Sequence, residues 1–278
     1  MVPYDGKYKR TGYDIFRLTV FFPDGSGLID GFLSVPQAKG KYPAVVGVPG
    51  AGPGVIVPHP NIRSSKKAIE LFMNVHPYKT GKTFNEMQKL YKEMNQKLST
   101  KSYFREFAWD RDKYVYRKVW LALSRAVDYV AKLPEFDGKN FASAGFSQGG
   151  GTALAIGALN KNITCVVSAC PAFCDQSGYL LDRQSGWPML HSALKGKADS
   201  VIPYFDCASF AARLKVPTII SVGYIDTTCA PSTVYAAYNN IQAPKQIVPM
   251  FTKGHNIAPE SRKILVDFMD KHLNNNKE

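Results

Sequence analysis

Residues 140–151 read Asn-Phe-Ala-Ser-Ala-Gly-Phe-Ser-Gln-Gly-Gly-Gly, and they decide the fold. Residues 140–144 read as a strand, and residues 152–159 (TALAIGAL) continue as a helix. Between them stands Gly145-Phe146-Ser147-Gln148-Gly149, a Gly-x-Ser-x-Gly at a strand-to-helix turn. That placement is the signature of a nucleophile elbow. The requirement is steric. The serine backbone is held in a strained turn that lifts its hydroxyl above the sheet, and small neighbours let strand and helix approach. The next backbone N–H, that of Gln148, then points at a developing oxyanion.

Working outward, residues 17–22 (RLTVFF) and 28–35 (LIDGFLSV) flank the turn Pro-Asp-Gly-Ser-Gly and read as an antiparallel hairpin. Residues 43–48 (PAVVGV) read as a buried strand ending in the low-bulk loop Pro49-Gly50-Ala51-Gly52-Pro53-Gly54. Residues 65–71 read as a short helix and 72–75 as a strand. Helical spacing returns at 84–98, and strongly at 114–132, where Val115, Val119, Leu123, Ala126, Val127 and Val130 share a face. Beyond the elbow, strands are expected at 165–169, 218–222 and 246–251, alternating with helices at 208–214, 232–239 and 259–273. Strands alternating with helices imply an α/β fold with a mostly parallel central sheet, here preceded by the antiparallel hairpin. The whole of 1–278 reads as one domain, with 79–112 and 175–199 as insertions near the active site.

A serine hydroxyl needs a base, and the base an orienting acid. In α/β-hydrolases they follow in the order serine, acid, histidine. Three histidines follow Ser147: His191, His255 and His272. His255, in a Gly-His loop just after the last strand, is the expected base. His272 in the terminal helix reads as a surface residue, and His191 as a substrate contact or a bystander. Asp226, in the loop after 218–222, is the expected acid, with Asp175, Asp199 and Asp206 as less well placed rivals. The oxyanion donors are expected to be the N–H groups of Gln148 and of Ala51, in the loop after 43–48. Trp109, Trp187 and the tyrosines near 103–116 offer a sugar-stacking wall, and Lys79, Lys82, Arg105 and Arg111 a basic face.

Composition narrows the class. Hydrophobic residues make up 45% and charged residues 21%, which excludes wholesale disorder. The net charge of +13 suggests an acidic partner. The basic residues are scattered, however, with no nucleic-acid motif, so neither a nucleic acid nor a membrane is expected as partner. Five cysteines without a Cys-x-x-Cys pair argue against a zinc or redox site. Cys170 and Cys174, four apart, invite no disulfide assignment. Residues 1–10 (MVPYDGKYKR) carry no apolar run of the signal-peptide kind, so export is an expectation from substrate class alone.

Residues 145–151 (GFSQGGG), 223–239 (GYIDTTCAPSTVYAAYN) and Gly254-His255, with the helix at 114–128, together resemble the acetyl xylan esterase / cephalosporin C deacetylase group of α/β-hydrolases, over roughly 12–273. The resemblance implies Ser147 as nucleophile, Asp226 as acid and His255 as base, and a metal-free reaction that removes acetyl groups from sugars. Three positions depart from the family. Its His-Gly-Tyr is here Pro49-Gly50-Ala51, which leaves more room for the acyl group. Its Arg-Gly-Gln is replaced by Val75-His76-Pro77-Tyr78, which puts His76 among the expected substrate contacts with Trp187 and Trp109. The Glu after its histidine is Asn256. The pattern resembles a divergent branch of polysaccharide-degrading bacteria.

The expected function is therefore a serine carbohydrate esterase, without cofactor or metal, acting on acylated plant polysaccharide or oligosaccharide in the periplasm or outside the cell. A homo-oligomer is compatible with this reading. The alternative is a methylesterase on uronate methyl esters, an anionic substrate that suits the charge and the roomier pocket. A peptidase on the same fold, or a non-catalytic carbohydrate binder lacking a triad member, are the other classes.

Overall fold

A computed structural model describes residues 1–273. Strands β1 (Val2–Pro3), β2 (Tyr13–Phe21), β3 (Leu28–Pro36), β4 (Tyr42–Val48) and β5 (Ile69–Met73) precede helices α1 (Phe84–Lys97) and α2 (Val115–Val130). Then come β6 (Phe136–Phe146), α3 (Gln148–Leu159), β7 (Cys165–Ala169), and the short helices α4 (Leu190–Ala193) and α5 (Cys207–Ala211). The chain continues through β8 (Thr218–Gly223), α6 (Pro231–Asn240), β9 (Lys245–Met250) and α7 (Pro259–His272). The strands form one nine-stranded sheet in the order β1-β2-β3-β5-β4-β6-β7-β8-β9. Pairing is antiparallel from β1 to β5 and parallel from β5 through β4 to β9. The hairpin expected at the N-terminus is β2–β3.

Both faces of the parallel half are covered, and strand alternation decides which residue serves which face. In β7, Cys165, Val167 and Ala169 meet Leu265, Met269 and Leu273 at α7, while Val166 packs with Ala153–Ile156 of α3 on the other face. Helix α2 buries Val119, Leu123, Ala126, Val127 and Val130 of the stripe its spacing predicts, keeps Val115 half-buried against the core, and adds Tyr116 and Trp120. Helix α1 starts with a capping box, Thr83 accepting from the Glu86 N–H and Glu86 reaching back to Thr83.

Residues 65–71 hold no helix. Their expected helical turn gives way to β5, which begins at Ile69 and is paired on both sides, by β3 and β4, with all five residues buried. Glu70 stands inside that strand because its carboxylate meets two guanidinium groups, Arg10 at 2.8 Å and Arg63 at 3.1 Å. The loop between β4 and β5 crosses to the α7 face, where Ile62 joins the core and Ser64 and Ser65 donate hydrogen bonds to Asp270.

Candidate active site

Ser147 sits between β6 and α3 with φ 58° and ψ −120°, a left-handed conformation costly for a side chain-bearing residue. The surrounding glycines make the turn feasible. A Cβ at Gly145 would lie 2.2 Å from the Gly149 carbonyl oxygen, and one at Gly149 would lie 2.4 Å from that of Val48. Gly149→Ala is expected to destabilise the fold by about 1–3 kcal/mol or more, since the added Cβ would meet the Val48 backbone, which cannot step aside. Urea unfolding of the variant measures this.

The structure brings Ser147, His255 and Asp226 into one hydrogen-bonded chain. His255 Nε2 is 2.7 Å from Ser147 Oγ, and His255 Nδ1 is 2.7 Å from Asp226 Oδ2. Ser147 stands at the C-terminal end of β6, Asp226 follows β8, and His255 follows β9. Parallel strands therefore deliver all three to one end of the sheet. The ends of β8 and β9 can close together because Gly223 is bare: a Cβ there would lie 2.4 Å from the Gly254 carbonyl oxygen. The Asp226 side chain is fully buried, and its Oδ1 accepts the N–H groups of Thr228 and Cys229 at 2.8 and 2.9 Å. A carboxylate oxygen only accepts, so the His255 proton resides on Nδ1 and Nε2 is left to accept from the serine. Phe146 packs against the imidazole at 4.9 Å. The arrangement is chemically a charge-oriented imidazole poised to deprotonate a hydroxyl.

Helix α3 begins at Gln148 with no side-chain cap, so the N–H groups of its first turn are free to face a ligand. The loop carrying Ala51 runs beside the serine: a Cβ at Gly50 would lie 3.9 Å from Ser147 Cβ. Ala51 itself is exposed. The Gln148 side chain is fully buried. Its Oε1 accepts from the hydroxyls of Tyr103 at 2.5 Å and Tyr116 at 2.6 Å, and its Nε2 donates to the Pro49 carbonyl at 3.3 Å. These two tyrosines, expected among a sugar-stacking wall, are core residues instead.

His76, expected at the substrate surface, is fully buried. It stacks on Tyr78 at 5.1 Å and meets Tyr103 edge-on at 4.8 Å, and burial pushes its imidazole down to about 3, so it is neutral. The rings of Tyr78, Tyr91 and Tyr103 surround it, so it does not form part of an exposed surface. Trp187 is half-buried against Phe104 and Phe173. Trp109 is half-buried beside Phe107, with the Lys197 ammonium over its ring at 3.5 Å, and none of these partners belongs to the Ser147 group.

The rival histidines and acids have partners of their own. His191 bonds Asp199 at 2.9 Å and stacks on Tyr179. His272 bonds the Phe268 carbonyl within α7. Asp175 pairs with Arg183. Asp206 caps α5 and accepts the N–H groups of Asp175 and Gln176; burial pushes its carboxyl up to about 6. All five cysteines are buried free thiols.

Comparison with known proteins places this geometry in context. Residues 6–272 match the family described as acetyl xylan esterase (AXE1). The acetyl esterase Axe7A of Xylanibacter ruminicola is 34% identical over 250 residues, which cover 86% of this chain but 55% of that protein. The chain thus spans about half the length of that curated relative. Among solved structures, acetyl xylan esterase 1 from Thermoanaerobacterium sp. JW/SL YS485 superposes with a TM-score of 0.74 at 22% identity, over 97% of this chain and 86% of that one. The acetyl xylan esterase from Paenibacillus sp. R4 gives 0.73 at 22%, over 96% and 86%. These likenesses establish the α/β-hydrolase fold.

Proposed function

Because this chain belongs to the acetyl xylan esterase (AXE1) family, we propose that it is a serine carbohydrate esterase that removes acetyl groups from plant polysaccharide or oligosaccharide. The observation that carries the reading is the unbroken chain of hydrogen bonds from Asp226 through His255 to Ser147. Ser147 Oγ attacks the ester carbonyl while His255 Nε2 takes its proton. The carbonyl oxygen becomes an oxyanion, held by the N–H groups of Gln148 and Ala51. The imidazolium then gives its proton to the departing sugar oxygen, leaving an acetyl group on Ser147. Water, deprotonated by His255, attacks that acetyl-enzyme and releases acetate.

Each part has a physical task. The buried Asp226 fixes the imidazole tautomer and offsets its transient positive charge. Two backbone donors stabilise charge where it develops, and removing one such donor typically costs about 10²–10³ in kcat. Ala51 adds only a methyl group, so the space beside the attacked carbonyl is not restricted by a large side chain. Export to the periplasm or beyond belongs to the same proposal, since the substrate is a polymer outside the cytoplasm.

A second reading, hydrolysis of uronate methyl esters, is favoured by the net charge of +13. Products separate the two. Acetylated xylan and methyl-esterified pectin are each incubated with the protein, and acetate and methanol are measured. Acetate release from xylan is expected. Methanol without acetate would overturn the acetyl reading in favour of the methylesterase.

A further inference from the structure

The loop of residues 49–55 begins Pro-Gly-Ala-Gly-Pro-Gly and carries almost no side chain with which to hold itself. It is held from outside. Gln148 Nε2 donates to the Pro49 carbonyl, Tyr78 Oη donates to that of Pro53 at 3.1 Å, and Asn74 exchanges two hydrogen bonds with the backbone of Val55 at 2.8 and 2.9 Å. The Gln148 contact differs from the others. The residue that reaches across to the loop is itself the one whose N–H opens α3. One side-chain amide thus joins the two backbone segments that flank the nucleophile.

From this geometry we infer that Gln148 is a positioning residue whose side chain, clamped by Tyr103 and Tyr116, sets the spacing of the two oxyanion donors. The inference rests on the esterase reading and deepens it. The amide orientation is fixed by its surroundings. Pro49 offers only a carbonyl, an acceptor, so the nitrogen must face it and the oxygen must face the phenols. Both lone pairs of Oε1 are then engaged, by two phenolic hydroxyls that donate. Proline fixes its own φ, so holding its carbonyl fixes the peptide plane leading into Gly50 and Ala51. Burial pushes the phenols of Tyr103 and Tyr116 upward, so both remain protonated donors over the range in which His255 can act as a base. His76, stacked on Tyr78 and edge-on to Tyr103, links the phenol that holds Pro53 to the phenol that holds Gln148.

A buried amide with three partners would also serve as simple glue, so the test must separate glue from positioning. Tyr103→Phe, Tyr116→Phe and the double variant remove hydroxyls without removing packing volume. Each is assayed with p-nitrophenyl acetate for kcat and KM. Each is also titrated with phenyl trifluoromethyl ketone, which forms a tetrahedral adduct on a serine and loads the oxyanion hole. The double variant is expected to lose about 10- to 100-fold in kcat, below the cost of deleting a donor outright, with KM within about twofold. Its affinity for the ketone should fall by the same factor.

Values of kcat and ketone affinity within about twofold of the parent would overturn the inference, as would a loss of kcat with ketone affinity unchanged. Should the double variant fail to fold, the single variants decide by the same two criteria, with about fivefold expected from each. Ser147→Ala in the same panel keeps the two failures apart. If it retains full activity, the esterase reading falls and the clamp with it. If it is inactive while the tyrosine variants match the parent, the clamp alone falls.

Discussion

Ser147→Ala is expected to lower kcat on acetylated substrates by about 10⁴–10⁶-fold with the fold intact. In the proposed mechanism the hydroxyl is the group that forms the acyl-enzyme, and no neighbour can replace it. Its Oγ lies 2.7 Å from His255 Nε2, and the five cysteines, the other candidate nucleophiles, are buried. Burial also holds the thiols protonated: Cys170, beside the Asp226 loop, is pushed up to about 12. The residual rate should come from the backbone donors and from binding, so it should exceed the uncatalysed rate. The removed side chain is small and caps nothing, so urea unfolding should change little. Retention of more than about a hundredth of the parent kcat would show that another residue carries the chemistry.

Asp226→Asn is expected to cost about 10⁴ in kcat, for a reason written in its hydrogen bonds. Asp226 Oδ1 accepts two backbone N–H groups, from Thr228 and Cys229. An asparagine must leave its one oxygen there, so its amino group is turned toward His255 Nδ1. Nδ1 then has to accept, the ring proton moves to Nε2, and Nε2 meets the serine hydroxyl as a donor. An imidazole in that tautomer cannot take the serine proton. KM should hold, because Asp226 is buried and touches no substrate. Equal losses for Asp226→Asn and Asp226→Ala, or a loss below about tenfold, would count against the tautomer argument.

The site was legible where chemistry imposes a local pattern. Ser147 is marked by the glycines its strained φ and close packing demand, and Gly223 and Gly254 mark the meeting of the strands that carry acid and base. Asp226 and His255 stand out because each follows a recognisable strand. What was not legible depends on partners far along the chain. Residues 65–71 (SKKAIEL) have the composition of a helix, yet Ile69–Met73 is drawn into the sheet by β3 and β4. Nothing near Glu70 announces that Arg10, far earlier in the chain, joins Arg63 at its carboxylate. Tyr103 and Tyr116 were conspicuous as aromatics, which suggested sugar stacking. Their hydroxyls meet Gln148 across 45 and 32 positions, a contact no periodicity encodes. His76 was placed at the substrate only because it stands where the resembled family has Arg-Gly-Gln, although a neutral imidazole fits among tyrosine rings.

The wide sequence separation of the site has a consequence for biosynthesis. Ser147 and His255 are 108 positions apart, and His255 follows β9, which among the described residues is an edge strand beside β8. Domains fold as units while synthesis proceeds from the N-terminus. A nascent chain still on the ribosome can therefore own its elbow, its glycines and its buried acid while remaining inert. On the proposed mechanism, hydrolytic power arrives only when the strand that precedes His255 zips onto the sheet. If the proposed esterase chemistry holds, a chain paused before β9 has been made stays silent, and the onset of ester cleavage reports that β9 has docked on β8.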